Sequence, residues 1–92
     1  MPAPPISHVV KRHGRAELYD EKKVYAAVYA AAINCHYDEH EAESLALKVM
    51  KSVNAWVGTR LSATSDEIRE EVLHFIPDEQ VALMYKHHLD LC

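Results

Sequence analysis

The sequence predicts a small α+β fold, in which a β-hairpin or three-stranded sheet covers a four-helix bundle. Near the N-terminal end, short strand-like segments flank a His13-Gly14 pair, and glycine supplies the positive φ that a two-residue hairpin needs. Downstream, apolar residues recur at helical spacing in successive stretches, each preceded by a capping residue. A chain of 92 residues buries a single core, so one domain is expected and a catalytic barrel is excluded.

Three of the four prolines fall within the first six residues, so residues 1–7 read as an extended leader and the domain as residues 8–92. His8 to Arg12 and Arg15 to Tyr19 suit two strands, and a ribbon this short needs helices to cover it. Asp20 is an N-cap, and Val24, Ala27, Val28 and Ala31 follow at helical spacing, which places a first helix from about Glu21 to about Asn34. Asp38 with Glu41 forms a capping pair ahead of the stripe Ala42, Leu45, Ala46, Val49, Val53, Trp56 and Val57, and Gly58 is the expected stop of this second helix. Core packing is the expected role of Trp56. Thr64 with Glu67, or Ser65 alone, caps a third helix whose buried face is Ile68, Val72, Phe75 and Ile76, ended by Pro77. Asp78 caps a fourth, with Val81, Met84, Tyr85, His88 and Leu89 on one side.

Hydrophobic content of 49% with 26% charged residues fits a folded domain rather than a disordered tail. The net charge of −4 argues against general attraction to a nucleic-acid backbone. Cys35 and Cys92 give no disulfide framework and favour a reducing cytoplasm. The N-terminal residues lack the basic and apolar regions of a signal peptide, and the longest apolar run, Val24 to Ile33, is too short to span a bilayer.

Among the polar residues, Lys11, Arg12 and Lys23 stand out. A hairpin folded back over the start of the first helix would gather them where free backbone N–H groups and the positive end of the dipole favour phosphate. On charge alone, the alternative of a solvated basic set paired with Asp20 and Glu21 is the commoner outcome. The order of residues favours the first reading. Val9, Lys11-Arg12, Gly14, Glu17, Asp20 and Lys23-Val24 stand in the order and spacing that open ATP-cone domains, the nucleotide-sensing regulatory modules of ribonucleotide reductase large subunits and of the repressor of their genes. Thr64-Ser65-Asp66-Glu67-Ile68 is similar to the start of that family's third helix, and the chain resembles the family from residue 8 to about residue 89.

The resemblance implies ATP or dATP as ligand, with Mg2+ as an accompanying ion. Lys11 and Arg12 would bind phosphate, and Lys23 would lie near phosphate or ribose. Glu17 and Asp20 would accept hydrogen bonds from the adenine amino group or the sugar. Val9, Val24 and Ile68 would pack on the base, and Thr64 and Arg69 complete the implied nucleotide-binding set. Two departures stand out: His13 replaces the Asp of the family's turn, and Arg69 stands where the family often has a smaller polar residue that meets the ribose.

Seven histidines raise the question of metal. His36 and His40 have ligand spacing close to Cys35, but Asp38 reads as a helix cap between them, so no metal site is expected. His87 and His88 are adjacent and face different sides of a helix. No phosphate-binding glycine-rich loop, nucleophile elbow or His-Glu-x-x-His sequence occurs. The expected activity is therefore binding without catalysis, sensed by a second copy of the chain or by a fused or separate effector protein. The rival reading is a helical protein-interaction module without a nucleotide ligand.

Overall fold

The computed structural model describes residues 9–12, 15–60 and 62–90. Strand β1 (Val9–Arg12) runs antiparallel to β2 (Arg15–Leu18), with Arg12 opposite Arg15 and Val9 opposite Leu18. Only His13 and Gly14 separate the strands, as a two-residue hairpin requires. Those two residues, and the expected leader at residues 1–7, lie outside the described residues. A third strand, β3 (Ser62–Thr64), pairs in parallel with β1, giving the order β2-β1-β3. Three residues are too few to show an alternating pattern, and of the three only Ala63 is buried. Its position between the second and third helices was therefore not readable from the sequence.

Helix α1 spans Glu21–Asn34, with Asp20 as N-cap accepting from the Lys22 N–H. It ends at Cys35, beyond which the His36 N–H donates to the Ile33 carbonyl and the Tyr37 N–H to the Ala32 carbonyl, closing the last turn. Helix α2 (Glu39–Val57) begins at Asp38, whose carboxylate accepts the Glu41 N–H at 2.8 Å. Gly58 ends it in a right-handed conformation, φ −61° and ψ −18°, so the expected stop makes no use of glycine's left-handed freedom. Helix α3 (Ser65–Phe75) has Thr64 and Glu67 in a reciprocal capping box. Ile76 is extended at its end, as the residue before Pro77 must be. Helix α4 (Glu79–Asp90) starts at Asp78, which accepts the Gln80 N–H at 2.8 Å.

Helix α1 packs against α2 and α4, α2 against α3, and α3 against α4, β1 and β3. Valine and alanine make up most of the core: Val28, Val49, Val53, Val57, Val72 and Val81 are fully enclosed, together with Ala32, Ala42 and Ala46. Small side chains on α1 and α2 allow close approach, and this pair forms the most extensive helix contact. Ala27, Leu45, Trp56 and Phe75, all expected on buried stripes, are half-buried at the border of the core. On α4, Val81 and Tyr85 are buried and Met84 is half-buried, while the His88 and Leu89 side chains lie outside the described residues. Among the described residues no helix is long and apolar enough to cross a membrane.

Candidate functional site

The register of the sheet arranges the residues singled out in the sequence. Because the hairpin reverses the chain, β2 leads into α1 from the Val9 end of β1. Parallel pairing sends β3 the other way, so Thr64 lies level with Lys11 and α3 begins at the Arg12 end. The starts of α1 and α3 therefore flank opposite ends of the sheet. Lys11 and Arg12 sit roughly 7 to 10 Å further along β1 than Val9, toward the start of α3. The sequence, which does not show where β3 lies, points to the start of α1 for these cations, and the register adds the start of α3 as a neighbour of the Lys11 backbone.

The side chains of Val9, Lys11, Arg12 and Glu17 lie outside the described residues. Lys23 is exposed in the first turn of α1. Asp20 is also exposed, with Oδ1 engaged by the Lys22 N–H at 3.0 Å. Val24 at 6% and Ile68 at 9% exposure belong to the core but keep more accessible surface than most of it. Thr64 is exposed, and its Oγ1 accepts the Glu67 N–H at 3.0 Å while its own N–H donates to Glu67 Oε1 at 2.9 Å. The Thr64 backbone N–H, with further help from Arg60, holds the Glu67 carboxyl below its ordinary range. Arg69 pairs with Asp66 at 2.9 Å and reaches Ser65 Oγ at 3.4 Å, so its guanidinium is tied to the first turn of α3.

Sequence reasoning passed over a hydrogen-bonded chain behind the start of α1. Tyr19 is 2% exposed, its hydroxyl donates to Asn54 Oδ1 at 2.6 Å, and Asn54 Nδ2 donates to Glu21 Oε1 at 2.7 Å. Burial first, then the carboxylates of Glu21 and Asp20, push the Tyr19 phenol upward and keep it protonated. The chain fixes the junction of β2 and α1 to α2. A signal for it was present: Tyr19 and Val24 occupy the two positions of a hydrophobic staple around the Asp20 cap.

Among the described residues no three His, Cys, Asp or Glu side chains come together as a metal site. His36 is exposed, and Asp38 is engaged as the cap of α2. The Cys35 thiol is pushed up by burial and by Asp78, which disfavours the thiolate a metal would need.

No curated protein and no solved structure matches the chain. The ATP cone domain matches residues 7–85, a span that takes in every residue named above as a candidate ligand. ATP cone domains are in general nucleotide-binding regulatory domains. A match over so much of a 92-residue chain, with the four helices in the expected order, means that the protein belongs to the ATP-cone domain family.

Proposed function

We propose that this domain binds ATP or dATP without turning it over and reports occupancy by changing its contacts with a second copy or with a fused or separate effector. One observation carries the reading: Lys11 lies level with Thr64, so a Lys-Arg pair on β1 meets the start of α3 at one end of the sheet. Lys11 and Arg12 neutralise phosphate there, with Mg2+ accompanying the triphosphate. Val24 and Ile68, among the more accessible of the core residues, meet the base together with Val9. Glu17 and Asp20 accept from the adenine amino group or the sugar, and Lys23 lies near phosphate or ribose. In this reading residues 8–92 form the domain, the sheet covers the four helices as a bundle, Thr64 and Arg69 border the phosphate or ribose, and the setting is the cytoplasm. The kinship with ribonucleotide reductase regulation belongs to the same proposal.

Calorimetric titration with ATP, dATP, GTP and AMP tests it. ATP or dATP binds and GTP binds far more weakly, because the carboxylates would face the O6 acceptor of guanine. Lys11→Ala and Arg12→Ala each weaken triphosphate binding by about 1.5 to 3 kcal/mol, the loss of a charge-assisted contact. Equal affinity for GTP contradicts the adenine assignment, and an unchanged affinity in either variant removes that residue from the site.

A further inference from the structure

Arg60 lies between α2 and β3, and three contacts fix its side chain. The guanidinium carbon sits 4.9 Å from the centre of the Trp56 ring. Nε donates to the Ser62 carbonyl at 3.4 Å, and Nη2 meets Glu67 Oε2 at 3.1 Å. Each contact by itself is weak, since an exposed ion pair gains little in water. Their convergence makes the difference. Glu67 already holds the Thr64 N–H through Oε1, so Arg60 grips the outer oxygen of a carboxylate that belongs to the α3 cap.

Trp56, on α2, is half-buried and packs against the core. A continuous set of contacts therefore runs from Thr64 through Glu67 and Arg60 to Trp56, from the residue level with Lys11 to the C-terminal part of α2. Only arginine suits the middle position, because a planar fork can pair with a carboxylate while its face covers an aromatic ring. A binding end held in place before the ligand arrives loses less freedom on binding.

We propose that Arg60 is a positioning residue of the nucleotide site, fixing Thr64 and the start of α3 beside Lys11 and passing occupancy of the site to Trp56. The proposal rests on the nucleotide-binding reading above. Trp56 is the single tryptophan of the chain, so its emission reports on this contact without labelling.

The test compares the full chain with Arg60→Ala, Arg60→Lys and Glu67→Gln, each shown to be folded by circular dichroism. ATP affinity is measured by calorimetry, and Trp56 emission is followed in the same titration. In the unaltered protein, saturating ATP changes the emission. Arg60→Ala weakens ATP binding by about tenfold, within the usual span of coupling between sites, and abolishes the emission change. Arg60→Lys falls between, since it keeps the charge and loses the fork. If Arg60→Ala does not fold, Glu67→Gln decides: weaker ATP binding supports the proposal and unchanged binding overturns it. A folded Arg60→Ala protein with unaltered affinity, or emission indifferent to bound ATP, overturns the positioning role and leaves the nucleotide-binding reading standing. Absence of ATP binding by the unaltered chain overturns both.

Discussion

His36 holds a left-handed backbone, with φ at 70°, immediately after α1. Its N–H donates to the Ile33 carbonyl and the Tyr37 N–H to the Ala32 carbonyl, at 3.0 and 3.1 Å, the paired bonds of a Schellman end. Glycine normally fills this position because a Cβ clashes there, at a cost of about 1 kcal/mol or more. His36→Gly is therefore expected to raise stability by about 1 kcal/mol, and the melting temperature by roughly 4 to 8 °C for a domain of this size. Thermal unfolding followed by circular dichroism checks it, and an unchanged or lower midpoint would show that the imidazole makes a compensating contact. At the same scale, Asp20, Asp38, Thr64 and Asp78 were all legible as caps, because a cap requires only a short polar side chain ahead of a helical stripe.

Between elements, Tyr37 joins the α1–α2 loop to the α3–α4 loop. Its hydroxyl donates to Asp78 Oδ2 at 2.5 Å, while Asp78 Oδ1 caps α4. The hydrogen bond from Tyr37 holds the Asp78 carboxyl below its ordinary range. The same bond, followed by burial, pushes the Tyr37 phenol up to about 12. The two shifts act in opposite pH windows. A lowered carboxyl contributes stability above its unfolded value of about 3.9, and that contribution is lost as pH falls through its folded value. A raised phenol contributes fully below its unfolded value of 10.0 and loses the contribution as pH rises through about 12. Tyr37→Phe is therefore expected to lower the urea midpoint at pH 7, with the deficit shrinking below about pH 4 and again between pH 10.0 and about 12. A deficit that stays constant across these ranges would assign the effect to packing instead. Burial likewise raises the Tyr85 phenol to about 12, so alkaline unfolding of the Tyr37→Phe variant persists.

For the whole molecule, the proposed switching predicts that bound nucleotide changes self-association. A ligand shifts such an equilibrium only through its different affinity for the two states, typically about 1 to 3 kcal/mol. Tyr25 and Tyr29 stack on α1 with ring centres 6.2 Å apart, and Leu83 stands 65% exposed on α4 in a groove with Gln80, Met84 and His87. These are the faces to watch, since aromatic and apolar anchors concentrate binding energy at interfaces. Light scattering at matched concentration should give a different mass for the nucleotide-loaded and free protein. Equal masses with bound nucleotide demonstrated would leave a passive binding domain that acts through a separate partner.

The sequence by itself determined the helices, their caps, the hairpin and the family, because each of these is written in residues near one another along the chain. The limits of α1 from Glu21 to Asn34 and the end of α3 ahead of Pro77 follow from local sterics and capping. Strand β3 and its parallel register with β1 were decided only by the tertiary structure, since Ser62–Thr64 is too short to carry a period and its partner lies some fifty residues away. That pairing sets the backbone of Lys11 level with Thr64, beside the start of α3. The Tyr19–Asn54–Glu21 chain had the same origin: polar groups distant in sequence become partners only after the helices that carry them have packed together.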